Sequence, residues 1–301
     1  MAEGHFADRL FEAVERKRSH VVVGLDPDYD LLPPDVRSSF VPAGFETDEA
    51  MKAACFRAFL VPLLERLRDE AVAVKPQAAY FEALGPAGYA LYAEIVALAR
   101  EAGYLVIADV KRGDIGSTAE AYARGHLEVV GADALTANPY LGSDGLEPFF
   151  TRARDKGKGV FVLVKTSNPS SADLQDLTLP SGLPLYRHVA ELVDGWGRGT
   201  EGVRGYRSVG AVVGATHPSQ GAELRRLLPG VPFLVPGYGA QGAQAGDVAG
   251  MFDERGLGAV VNSARAILYA NKKHPGMPWQ EAAALEAAEM RAALWRASGR
   301  G

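Results

Sequence analysis

Short runs rich in Val, Ile, Leu and Ala recur along the chain at residues 20–26, 71–77, 105–111, 134–140, 159–167, 208–216, 233–239 and 258–265. Each is too continuously apolar for a half-exposed strand and short enough to be a buried one. Between them, residues 89–102, 117–130, 184–197 and 220–228 space their apolar positions as a helix does. Eight strands alternating with helices predict a single-domain (β/α)8 TIM barrel over residues 1–301, with an N-terminal helix and a C-terminal helical extension at 278–297. The competing architecture is an open doubly wound sheet. It calls for G-x-G-x-x-G after the first strand, and none follows residues 20–26.

Two connections are long. Residues 27–49 hold four prolines and read as an irregular excursion before a helix at 50–68, and residues 168–184 are rich in Ser, Pro and Asp. Loops of that size in a compact barrel read as lids or binding loops. The C-terminal SGRG is expected to fray.

Composition changes the picture only by exclusion. A chain of 301 residues with 48% hydrophobic and 23% charged residues has an ordinary globular balance. A net charge of −5 speaks against non-specific binding to nucleic acid or membranes. No apolar run approaches bilayer length, and residues 1–20 read as a charged amphipathic helix, not a signal peptide. The one cysteine, Cys55, sits at helical spacing in MKAACFRAFL and reads as a packed core thiol in a reducing compartment, so a cytoplasmic protein is expected.

The chemistry concentrates in LVIADVKRGDIGSTAEAY, residues 105–122. Strand alternation puts Asp109 and Lys111 on one face, opposite Val110. Charges at the end of an apolar strand are costly unless paired or used. The turn that follows carries a second carboxylate, Asp114, before a helix whose start at Ser117 fits a capping box with Glu120. Barrels of this kind draw their functional groups from the C-terminal strand ends. Those ends supply Asp26, Lys75, Asp109 with Lys111, Asn138, Lys165 to Asn168, Thr216 with His217, and Asn262 to Arg265. The last two loops suit a phosphate, because the glycine-rich PGYGAQG at 236–242 lets backbone N–H groups approach an anion and Arg265 can grip its oxygens. The six histidines show no metal-ligand spacing, and two lysines oppose a cation between Asp109 and Asp114.

DVKRGDIGSTAEAYA resembles the signature of the orotidine 5′-phosphate decarboxylase family, in its longer bacterial subfamily. GLDPDYDLLP, AVKPQAAYFEALG, NPYLGSDGLEPF, VKTSNPSSADLQD, VGAVVGATHP, VPGYGAQGA and VNSARAILYA fit it in order from Gly24 to Ala270. The resemblance implies a cytoplasmic carboxy-lyase that needs no cofactor or metal and turns orotidine 5′-monophosphate into uridine 5′-monophosphate and CO2, the last step of de novo pyrimidine nucleotide synthesis. It implies a catalytic array of Lys75, Asp109, Lys111 and Asp114, the last reaching into the partner site of an obligate homodimer. Ile115 and Thr118 follow Asp114 across that interface. Asp26 and Lys75 are implied to hold ribose hydroxyls, Ser167 the pyrimidine amide, Gln241 the base and phosphate loop together, and Arg265 the phosphate.

Three other readings share parts of this pattern. One is a related barrel enzyme acting on sugar phosphates with Mg²⁺, and another a Schiff-base aldolase using Lys75, Lys111 or Lys165. A non-catalytic nucleotide-binding barrel is disfavoured, because binding alone needs no four-charge array.

Overall fold

All eight apolar runs form strands in the computed structural model, which describes residues 4–301. They are β1 (Val21–Leu25), β2 (Ala73–Pro76), β3 (Leu105–Arg112), β4 (Ala134–Ala137), β5 (Gly159–Lys165), β6 (Val209–Val213), β7 (Phe233–Val235) and β8 (Ala259–Ser263). Each pairs in parallel with the next, and β8 returns to β1 through Val21↔Val261, which closes the (β/α)8 barrel. The predicted N-terminal helix spans Phe6–Lys17, and Met1 to Glu3 lie outside the described residues. The C-terminal extension is Trp279–Ala297. Among the described residues no helix is long and apolar enough to cross a membrane.

Two layers of core follow from strand alternation. Val22, Ile107, Phe161, Val212, Leu234 and Val260 point inward and join Phe6, Leu10 and Phe11 of the N-terminal helix in one cluster. That helix plugs the barrel where the strands begin, and burying each of those large side chains is worth about 1.5–3 kcal/mol. The plug seats closely: Phe6 meets Phe161 edge-on at 5.9 Å, and a Cβ on Gly159 would lie 2.3 Å from the Phe6 ring. Only the other end, where the strands finish, stays open. A second layer between sheet and helices holds residues such as Val21, Leu63, Ile95 and Phe149, with Cys55 fully buried as expected.

Three local expectations need correction. The helix after β3 begins at Gly116 (φ +51°) with Ile115 at its N-cap and no side-chain cap, so Ser117 and Glu120 form no capping box. Glu120 instead meets the Arg152 guanidinium, with Nη1 to Oε2 at 2.8 Å, a charge-assisted pair stronger than a neutral cap. Residues 27–49 are not irregular throughout. They hold turns at Tyr29–Leu31 and Pro42–Gly44 and a short helix, Pro34–Ser38, started by proline at its first position. Finally, the C-terminal end is tied down: Ser298 is buried, and Arg300 reaches Glu15 at 3.2 Å and the carbonyl of Arg255 at 2.6 Å.

His20, just before β1, gives the fold a sensitivity to acid. It is fully buried between Phe252 and Trp295, and Nδ1 lies 3.1 Å from the carbonyl of Ala259. Burial lowers its pKa to about 4. An unfolded histidine takes up its proton near 6.5, so the unfolded chain binds more protons below that pH. Stability is therefore expected to fall as pH drops from 6.5 through about 4, by up to about 3 kcal/mol from this group. Buried His126, also lowered to about 4 by burial, adds an effect of the same sign. Urea midpoints at pH 6.5 and 4.5 check this: His20→Phe is expected to show a smaller drop than the native chain, and equal drops refute it.

Candidate active site

The open end of the barrel holds a cavity of about 520 Å³. Of the residues singled out from the sequence, Asp26, Lys75, Asp109, Lys111, Ser167, Gln241 and Arg265 line it. They lie in β2 and β3, just past the ends of β1 and β5, and in the loops after β7 and β8, and barrel closure brings them together.

Asp109 is the centre of the floor. Its Oδ2 accepts from Lys75 Nζ and from Gln77 Nε2 (3.0 Å), and its Oδ1 accepts from Lys111 Nζ (2.6 Å) and Thr136 Oγ1 (3.0 Å). Burial pushes the Asp109 carboxyl up, but Lys75 and Lys111 together hold it well below the ordinary carboxylate range. Burial likewise opposes the Lys75 ammonium, yet Asp109 and Asp26 keep its pKa above the usual lysine value. The two lysines differ in access. The Lys75 side chain is 5% exposed, whereas that of Lys111 is 47% exposed and faces the open cavity.

Asp109 and Lys111 meet through a bulge, not through the plain strand alternation expected from the sequence. The β3–β4 register runs from Ala108↔Leu135 to Arg112↔Ala137, and Lys111 takes a left-handed φ of +45°. A second irregularity, between Leu163 and Lys165 in β5, turns Lys165 out of the cavity. Lys165 is buried instead against Asp176 (2.7 Å) and the Tyr186 ring, in the outer layer. It therefore has no approach to a carbonyl held in the cavity, which leaves the Schiff-base reading without that lysine.

Asp26 stands at the mouth beyond β1, with one buried carboxylate oxygen that has no partner among the described residues. Burial pushes its pKa up, partly offset by Lys75. Across the cavity, Gly237 (φ +104°) passes so close to its neighbours that a Cβ there would lie 3.2 Å from both Gln241 Oε1 and Ser167 Cβ. The glycine thus lets the loop after β7 bring Gln241 beside Ser167. Gly239 and Gly242 also take positive φ, and Arg265 begins a short helix after β8, exposed at the rim.

Asp114, Ile115 and Thr118 do not line the cavity of their own chain. Asp114 Oδ1 accepts from the backbone N–H of Ile115 at 2.8 Å, Ile115 is 58% exposed, and Thr118 is exposed. Asn138 caps the turn at Tyr140 with its own Oδ1 and also stays outside. Sequence reasoning passed over Gln77, Thr136 and Gln175, all of which line the cavity. Thr136 had left a signal, since it is the one polar residue in the apolar run of β4. Gln175 had none, because its role depends on the chain folding back to bond the backbone N–H of Thr166 at 2.9 Å. Among the described residues no group of three or more His, Cys, Asp or Glu is placed to hold a metal ion.

Residues 19–275 match the Orotidine 5′-phosphate decarboxylase / HUMPS family. An orotidine 5′-phosphate decarboxylase of Rhodopirellula baltica is 46% identical over 275 residues, 89% of each chain. Among solved structures, an orotidine monophosphate decarboxylase of Leishmania donovani superposes with a TM-score of 0.76 at 34% identity, covering 98% of this chain and 100% of that one. A UMP synthase of the same organism gives 0.78 at 37% identity; there the match covers 97% of this chain but 57% of the longer one.

Proposed function

Because the chain belongs to the orotidine 5′-phosphate decarboxylase family and converts orotidine 5′-monophosphate to uridine 5′-monophosphate and CO2, we propose that the residues lining its cavity carry that reaction without an electron sink. The supporting observation is the joining, in one cavity, of a charged floor around Asp109 and a rim built from glycine-rich loop and Arg265. The floor suits a reacting carbon and the rim suits a phosphate.

When the C6–carboxylate bond breaks, CO2 departs and the electron pair stays on C6, in the plane of the ring and outside its π system. The Lys111 ammonium stabilises that charge as it forms and then gives C6 its proton. Asp109 holds Lys111 in place, and Lys75 in turn compensates the buried Asp109 carboxylate. Asp26 and Lys75 take ribose hydroxyls, Ser167 the pyrimidine amide, and Gln241 bridges base and phosphate. Phosphate and ribose lie remote from C6, so their binding energy serves to organise the site around the reacting carbon. Asp114 completes the charged array from a second copy of the chain, with Ile115 and Thr118 beside it. Its own cavity excludes it, which supports that arrangement. A cytoplasmic location belongs to the same reading, supported by a single cysteine that is buried.

Loss of orotidine 5′-monophosphate absorbance, followed with metal-stripped protein, tests the reaction, and absence of turnover refutes it. In the same assay Arg265→Ala is expected to raise KM and to lower kcat/KM by about 100- to 1,000-fold, the size of a lost charge-assisted pair. A change under fivefold would place the phosphate elsewhere.

A further inference from the structure

β4 runs Ala-Leu-Thr-Ala, and the hydroxyl of Thr136 fills a gap in the sheet. Between the paired positions Ala108↔Leu135 and Arg112↔Ala137, three residues of β3 face this single residue of β4. Four residue steps of β3 therefore occupy the length of two steps of β4, at about 3.3 Å per step. The surplus is taken up by the left-handed turn at Lys111, which draws that residue down toward the level of Asp109. A lysine at positive φ is strained by about 1 kcal/mol or more and persists only where its surroundings hold it.

Thr136 supplies that hold. Its Oγ1 accepts from the backbone N–H of Val110 at 3.0 Å and from that of Lys111 at 2.9 Å, and it donates to Asp109 Oδ1 at 3.0 Å. A hydroxyl has one proton and two lone pairs, and all are used. The same atom thus replaces the ladder bonds that the bulge removes and ties the bulge to the carboxylate that Lys111 must meet.

We propose that Thr136 is a positioning residue for the decarboxylation: its hydroxyl locks the β3 bulge and so fixes the Lys111 ammonium on Asp109 in the attitude from which it reaches C6. This rests on the reading of Lys111 as the proton donor. Valine has nearly the shape of threonine but no hydroxyl, so Thr136→Val leaves two backbone N–H groups without their acceptor while keeping the packing.

Steady-state kinetics and backbone amide hydrogen exchange on native protein, Thr136→Val and Thr136→Ser test the proposal. Thr136→Val is expected to lower kcat about 10- to 100-fold with KM within about threefold, since phosphate and ribose contacts lie elsewhere. Exchange at the Val110 and Lys111 amides should quicken at least about tenfold, and Thr136→Ser should restore both quantities to within about threefold. Should the valine variant not fold, Thr136→Cys takes its place, with kcat expected between those of the serine variant and zero because a thiol is a weak hydrogen-bonding group. A kcat within twofold of native overturns the proposal, as do unchanged exchange, a loss carried in KM, or a loss that serine does not repair. The exchange measurement separates this from the underlying reading: if Lys111→Ala kept full turnover, the donor assignment would fail whatever the state of the bulge.

Discussion

Lys111→Ala is expected to abolish turnover, lowering kcat by about 10,000-fold or more, and to leave a folded protein. The size follows from removing two effects at once. A positioned acid is worth about 100- to 10,000-fold, and a fixed charge aimed at a developing anion about 100- to 1,000-fold more. The expectation that the fold survives comes from the asymmetry between the two lysines. Lys111 is 47% exposed at the cavity side, so its loss removes little packing. Asp109 keeps Lys75, Gln77 and Thr136 as donors, so no buried charge is left without compensation. Lys75 is the contrary case, because its side chain is 5% exposed and its removal strands a buried carboxylate. Circular dichroism together with single-turnover assays checks the prediction. Turnover within tenfold of native would remove Lys111 from its proposed role.

Asp114→Ala is expected to lower kcat by about 1,000-fold or more even though Asp114 does not line the cavity of its own chain. The effect is expected because, in the proposed shared site, the side chain serves a second copy. Asp114 lies where a Cβ on Gly145 would come 2.8 Å from its carbonyl oxygen and 3.3 Å from Leu141 Cβ. The surface around it is apolar and exposed, with Ile115 at 58%, Tyr140 at 81% and Leu141 at 47%. In the proposed homodimer, an isologous twofold pairing of that surface would bring each Asp114 to the other barrel. The decisive measurement mixes two inactive variants, Lys111→Ala and Asp114→Ala, under conditions that exchange subunits. Half of the dimers then pair unlike chains, and each such dimer has one site with both groups intact. Recovery of roughly a quarter of native activity is expected from that symmetry. No recovery, with exchange demonstrated by mass or fluorescence, would rule out a shared site.

The pattern of apolar runs was enough to foresee eight strands and a closed barrel, because a strand buried on both faces must be written in apolar residues whatever its neighbours are. The run VVVGLD placed Asp26 at a strand end, and AVAVKP placed Lys75 inside, for the same reason. The spacing of Asp109 and Lys111 likewise marked the charged floor of the cavity, since charges on so apolar a strand need a use. Other features depended on partners distant in sequence. Lys165 stood at a strand end and among the lysines open to Schiff-base chemistry, yet β5 carries a bulge there and the side chain meets Asp176. Glu120 had the spacing of a cap, but Arg152 offered a stronger partner from another helix. The contact of Lys111 with Asp109 is made across a bulge in β3 that bonds to Thr136, not by simple alternation. Local sequence thus determined which segments are strands and which charged groups stand at their ends, because burial acts on each residue's own side chain. The tertiary structure alone decided which of those groups meet, because register, bulges and hydrogen-bond partners are set between strands that the chain brings together only when the barrel closes.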